Sequence, residues 1–566
     1  MKETTRTLIH RIQRGLIGQY RPITTPFGKR PLVYADYTAS GRSLDFIEQI
    51  VRDQVLPYYA NTHTEASLTG AQTTALREAA RDQIRSAINA GDDDAVIFCG
   101  AGATAAINRL IDMLALRAPR ETSAAPGDAD TEPAEQARHA VVFVGPYEHH
   151  SNELPWRESK AEVVRIPGDD RGDIDKRALE SALARYKGRA LRIGSFSAAS
   201  NVTGIRSDVA GITHILKAHA ALAFWDYAAA GPYVGVDMNP GGHNIDAIFL
   251  SPHKFVGGPG TPGILAVKTS LLKNPVPSVV GGGTVSYVTA ERHRFITAPE
   301  RREEGGTPAI VESIRAGLVF KLQQTVGTDT IEAIERERIQ TALTRLSAIK
   351  EIDILGGTQA RRLAIVSLRF LCAGRELHYG FVIALLNDLF GIQARGGCSC
   401  AGPYGHLLLG LDNARSRALE ERSANGDSAL RPGWVRLNFN YFISEAEFHY
   451  LLDAICLIAS DGWRLLPHYT LDPGTGMWRY HGVSPQLPVD LDAFDFLEAC
   501  PRADTPPDSE PDYRQLIADA RDILAKACKT ERTTAASDSP RRIERNDPER
   551  WFTIAEDLPG QTREAV

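Results

Sequence analysis

The sequence predicts an α/β protein in which a large domain built on a mostly parallel sheet is followed by a smaller α+β domain. Three observations carry that prediction. First, the runs DAVIFCG, AVVFVGP, EVVRIP, ALRIGSFS, LAFWDYA, AIFLSP and GILAVK are short and β-rich, with helical patterns such as TAAINRLIDMLAL and DVAGITHILKAHA between several of them. Such alternation is the signature of βα units. Second, the pattern changes after Gly306 to long helical stretches, then to ARRLAIVSLRFL and GWVRLNFNYF. Third, 566 residues exceed what one hydrophobic core usually organises.

The boundaries follow from these changes. Residues 1–30 form an N-terminal segment, 31–295 the large domain, 296–465 the small domain and 466–528 an extension. Within the large domain, 118–138 (RAPRETSAAPGDADTEPAEQA) lack apolar periodicity and read as a disordered insertion. In the extension, Tyr513, Leu516, Ile517, Ala520, Ile523 and Leu524 recur at helical spacing and predict an amphipathic helix. Residues 529–566 read as a disordered tail.

Composition narrows the function class. The chain is 43% hydrophobic and 24% charged with a net charge of −6, so no basic footprint for nucleic acid is present. The longest apolar runs are strand-length, far from the roughly 20 residues of a membrane span. Neither a nucleic-acid nor a membrane partner is expected. The basic start, MKETTRTLIHRIQRGLIG, lacks the apolar stretch of a secretory signal and reads as a docking helix, with a transit peptide as the alternative. Seven cysteines, an odd and sparse set, argue for reduced thiols and a cytoplasmic location.

Four short segments carry chemistry. AIFLSPHKFVGGPG delivers Lys254 past a strand end, where ligands of α/β sheets bind. A lysine flanked by apolar groups is able to form an imine with an aldehyde cofactor, although a solvated lysine is the ordinary outcome. Asp226 ends the apolar run ALAFW and needs a cationic partner, such as a protonated pyridine nitrogen, unless it caps the next helix. GAGATAAINRL follows a strand and presents helix N–H groups to an anion, with Thr104 adding a hydroxyl; a plain helix cap is the alternative. GPYEHHSNELPW places His149 and His150 after another strand, for stacking, proton transfer or a structural role.

Each element arrives at a strand end and in order, and together they resemble the class V aminotransferase family, in its cysteine desulfurase and selenocysteine lyase branch. The resemblance covers roughly residues 30–460 and rests on HK after a strand, D after an earlier one, EHH, SNVTG, EGGTP and R-x-G-x-x-C-A-x-P. It implies the aspartate aminotransferase-like fold and pyridoxal 5′-phosphate (PLP) as cofactor. By resemblance, Lys254 is the Schiff-base lysine and proton shuttle, Asp226 the partner of the pyridinium nitrogen, His149 the residue stacked on the ring, and Asn201 the contact to the phenolic oxygen. Ala103, Thr104, Ser251 and His253 match the phosphate site. Thr307 matches a phosphate contact from the neighbouring subunit, implying a homodimer with shared sites. Arg436 matches the arginine that clamps the substrate carboxylate, as a bidentate guanidinium can, and Arg395 joins it. Where the family often carries Gln beside the phenolic oxygen, this chain has Ala229.

ARGGCSCAGPYGH decides the reaction. The resemblance puts Cys400 at the desulfurase nucleophile, with Cys398 two residues earlier. A cysteine on a Gly-flanked loop beside Arg395 is expected to be accessible and reactive. Packed thiols are the alternative. The C-x-C spacing is short for zinc, even with His406 or His63 as further ligands, so no metal is expected. The expected activity is sulfur removal from L-cysteine through a persulfide on Cys400, handed to a sulfur-acceptor protein. The alternatives are a transaminase or lyase acting on another amino acid, with Cys400 not nucleophilic, and a non-catalytic scaffold.

Overall fold

The structure is a computed structural model that describes residues 2–62, 64–117, 140–483, 489–495, 509–527 and 543–558. The predicted insertion at 118–138 and His63 lie outside the described residues. All seven predicted strands enter one sheet: β1 (Asp94–Cys99), β2 (Ala140–Val144), β3 (Glu162–Arg165), β4 (Leu191–Ser197), β5 (Leu222–Asp226), β6 (Ala247–Leu250) and β7 (Gly263–Lys268). Their order is β1-β7-β6-β5-β4-β2-β3. Neighbours from β6 to β3 run parallel, whereas β7 runs antiparallel to both β6 and β1. A sheet covered on both faces has no polar side, so β1, β2 and β7 read as continuous buried apolar runs. Helices α1 (Leu68–Ala87) and α2 (Gly102–Met113) flank β1 in sequence.

Helix α3 (Ile310–Val326) departs from the expected boundary at residue 295. It packs on α1 so tightly that a Cβ at Gly317 would stand 2.5 Å from Ala80 Cβ. Small residues at that crossing tie α3 to the large domain, because they let two helix backbones approach closely. The small domain begins with α4 (Thr328–Ser347) and carries β8 (Ile352–Ile354), β9 (Ile365–Cys372), β10 (Arg375–Leu377), β11 (Arg395–Gly397) and β12 (Trp434–Asn438). The order is β8-β9-β12-β11, with β10 also on β9.

Both ends of the described chain join the small domain. Near the N-terminus, Val33–Tyr34 pair in parallel with Ile392–Gln393, and Arg30 Nε donates to Leu389 O at 2.8 Å. Helix α5 (Tyr513–Ala527) forms as its periodicity predicts, burying Tyr513, Ile517, Ala520 and Leu524. The tail expectation is corrected for 543–558. There Phe552 is fully buried, Trp551 stacks on His378 and Tyr379, and Thr553 N donates to Glu376 O at 2.7 Å. A charged, Pro-containing composition concealed one strap, whose apolar surface comes from Trp551 and Phe552 with the scattered Ile543, Ile554 and Leu558.

Candidate active site

Lys254, Asp226, His149, Asn201, Ala103, Thr104, Ser251, His253, Arg436, Arg395 and Cys400 all line one cavity of about 490 Å³. It opens where β1, β2, β5 and β6 end, as expected for a sheet of this type, and the small domain closes its other side. Thr307 is exposed and does not line it; Asn61 Nδ2 donates to its hydroxyl at 3.3 Å.

Each group is held by local geometry. Pro252–Lys254 form a single tight turn after β6. The backbone then folds so closely that a Cβ at Gly258 would stand 2.0 Å from Pro252 O. Burial is the main reason the Lys254 amine falls to about 8; Arg436 and Arg395 push the same way, while Asp226 opposes them. Asp226, 4% exposed at the end of β5, accepts from Ala228 N at 2.8 Å. Burial raises its carboxyl, and the Ala228 N–H and Lys254 only moderate the effect.

The anion end lies at the start of α2. Ala103 N donates to Ser251 Oγ at 2.9 Å, and the Thr104 and Ser151 hydroxyls lie 2.6 Å apart. Gly102 sits at φ +55°, and a Cβ at Gly263 would stand 2.0 Å from Gly102 O, so both positions exclude a side chain. His253 falls to about 4 and His149 to about 3, through burial first and the Lys254 charge second. Both imidazoles are therefore neutral at neutral pH. His149 Nδ1 accepts from Ser151 N at 3.1 Å, which leaves the proton on Nε2.

The small domain contributes the loop after β11. Ser399 and Cys400 both adopt left-handed backbone, φ +53° and +55°, which costs about 1–3 kcal/mol each for residues with side chains. Three hydrogen bonds hold the loop: His150 N to Cys400 O at 2.8 Å, Gly402 N to His150 Nε2 at 2.9 Å, and Asn201 Nδ2 to Ser399 O at 2.8 Å. Cys398 and Cys400 are both exposed free thiols, but only Cys400 lines the cavity. His406 is exposed and bonds Ser416. Among the described residues, no group of three His, Cys, Asp or Glu side chains is placed to hold a metal ion.

Sequence reasoning missed three polar contributors. Asp36 bridges Arg436 and Arg395 at 2.8 Å each. It ends the run LVYAD much as Asp226 ends LAFWD, and that parallel was the available signal. Glu148 is buried behind Asp226, accepting from Ser197 N at 3.0 Å, Ser197 Oγ at 2.6 Å and Asn152 Nδ2 at 2.6 Å; burial raises it to about 7. Ser151 completes the anion end.

The residues fit PLP. Asn201 Oδ1 and Ser399 Oγ are buried with no partner among the described residues, and such polar atoms call for a ligand or water. Asp226 is a buried carboxyl short of a cation, which a pyridinium nitrogen would supply. The first turn of α2 with Thr104, Ser151, Ser251 and His253 supplies neutral donors for a phosphate. Ala229 lines the cavity without a polar side chain.

Comparisons with known proteins agree. The sequence profile of the family "Aminotransferase class-V" matches residues 33–418. A probable cysteine desulfurase from Halalkalibacterium halodurans is 28% identical over 393 residues, 69% of this chain and 88% of that protein. One from Streptomyces coelicolor is 26% identical over 377 residues, 66% of this chain and 84% of that protein. Among solved structures, a cysteine desulfurase from Thermococcus onnurineus matches with a TM-score of 0.60 and 22% identity, covering 76% of this chain and 95% of that one. One from Escherichia coli matches at 0.58 and 21%, covering 75% and 93%. With the fold type, the cofactor-fitting cavity and a family profile spanning most of the chain in agreement, the protein belongs to the class-V aminotransferase family and is a PLP-dependent enzyme.

Proposed function

We propose that the enzyme removes sulfur from L-cysteine, leaving alanine and a persulfide on Cys400. The observation that carries this reading is that Cys400, from the small domain, lines the same cavity as Lys254 and Arg436. Lys254, Asp226 and the donors at the start of α2 would hold PLP, which would supply an electron sink for the substrate's Cα. Arg436 and Arg395 orient the substrate carboxylate. Lys254 Nζ, its basicity lowered by burial, moves the Cα proton. The neutral His149, its proton on Nε2, would cover the ring. The Cys400 thiolate forms a new S–S bond with the substrate sulfur while the Cβ–S bond breaks; that bond's electron pair stays with Cβ, which takes up a proton to give alanine, and the sulfur stays on the enzyme.

Two partners accompany this reading. Thr307 lies away from its own chain's cavity, and we take it as the phosphate contact given to a second copy in a homodimer. The sulfur acceptor is a protein or small thiol meeting the exposed loop 398–400. The five described cysteines are free thiols, which supports a cytoplasmic setting. No described helix is long and apolar enough to cross a membrane.

The deciding experiment incubates the PLP-loaded protein with L-cysteine and a reducing thiol, which reduces the persulfide and frees its outer sulfur as sulfide, and measures alanine and sulfide. Cys400→Ser should keep the cofactor's visible absorption and lose sulfide release. Full release from Cys400→Ser removes Cys400 as nucleophile, and turnover of other amino acids without alanine from cysteine selects the transaminase or lyase alternative.

A further inference from the structure

Asp36 gives one oxygen to each of two arginines. Arg436 Nη2 donates to Oδ1 and Arg395 Nε to Oδ2, both at 2.8 Å. Arg395 and Arg436 are directly opposed in the β11–β12 ladder, so two guanidinium groups stand side by side where like charges repel. Both line the cavity, whereas Asp36 lies behind them at 8% exposure. Arg436 is 3% exposed; its Nη1 donates to Asn201 O at 3.0 Å, and its Nε is buried without a partner among the described residues. The three side chains form a built receptor with one net positive charge, two cations against one anion.

We propose that Asp36 is a positioning and specificity-determining residue: it fixes the orientation of Arg436 and Arg395 and leaves them one uncompensated charge, restricting the site to α-amino acids with a single carboxylate. The inference rests on the reading of this arginine pair as the substrate carboxylate site. A monocarboxylate neutralises the trio. A second carboxylate on the substrate side chain would find no uncompensated cation left, because Asp36 balances one of the two guanidinium charges through Arg395 Nε and Arg436 Nη2, Lys254 acts as the uncharged base at Cα once the amino acid displaces it, and His149 and His253 are neutral. The Arg395 side chain is 49% exposed, so an unpaired charge beside it carries a moderate penalty. Asp36 thereby excludes acidic amino acids without touching them, a repulsive contribution to specificity.

The test titrates the PLP-loaded protein with L-alanine and L-aspartate, following the cofactor's visible absorption. Neither ligand carries sulfur, so the result stands apart from sulfur removal, whose failure would show only in the L-cysteine assay. Wild type should bind L-alanine at least about tenfold more tightly than L-aspartate. Asp36→Asn should lower that ratio by about tenfold or more, chiefly by tightening aspartate. Asp36→Glu should keep the ratio, and Asp36→Asn with Arg395→Gln should restore it by returning the net charge to one. A merely structural role would weaken both ligands alike and leave the ratio unmoved. A wild type without preference, or a ratio within about twofold of wild type in Asp36→Asn, overturns the proposal. Should Asp36→Asn fail to fold, Arg395→Gln alone decides: it neutralises the receptor, and undiminished L-alanine affinity refutes the assignment.

Discussion

Replacing Asp226 by Asn tests the cofactor assignment most directly, because the change removes a charge and little else. The carboxamide oxygen still accepts from Ala228 N, whose bond to Oδ1 is 2.8 Å, and the side chain keeps its volume in a site 4% exposed. What disappears is the anion we propose faces the ring nitrogen. Breaking a buried charge pair costs about 3–5 kcal/mol. The ring nitrogen can shed its proton and recover part of that, so we take the lower figure, about 3 kcal/mol, or a roughly hundredfold loss of rate. The assay is alanine formation from saturating L-cysteine, with bound PLP quantified in the same sample and the melting temperature as a control for folding. A variant that holds PLP and turns over within about fivefold of wild type would refute the role given to Asp226.

Other outcomes follow from the same geometry. Lys254 is protonated below about pH 8 and free to attack an aldehyde above it, so the rate of PLP capture by cofactor-free protein should rise with pH and reach half its plateau near pH 8. A rate already level at neutral pH contradicts the lowered basicity. Gly263→Ala puts a Cβ 2.0 Å from Gly102 O and must displace the start of α2. PLP affinity should fall about tenfold by fluorescence titration, since packed backbone cannot yield without moving the phosphate donors. Phe552→Ala empties a fully buried site against His378 and Trp478 and should destabilise the fold by about 3–5 kcal/mol. A urea midpoint equal to wild type would show that 543–558 is not part of the folded structure.

Sequence alone determined the elements whose signal is local. Strands β1, β2 and β7 of the large sheet are fully buried runs, as a sheet covered on both faces demands, and the β-rich pattern between helical segments marked the other four. Lys254, Asp226, His149 and Thr104 were legible for a related reason: each follows a strand, and strand ends converge at one edge of such a sheet. Tertiary structure alone decided everything that depends on distant segments meeting. Asp36 reaches Arg436 across 400 positions, and no periodicity records such a pairing. The strand at Val33–Tyr34 joins the small domain through Ile392–Gln393, and α3 joins the large domain through Gly317 against Ala80. Both assignments depend on which surface an element buries, not on its own pattern. For Cys398 and Cys400 the resemblance had already singled out Cys400, and the tertiary structure supplies the physical reason. They are two residues apart in one loop, and three hydrogen bonds from His150, Asn201 and Gly402 set the loop so that only Cys400 lines the cavity.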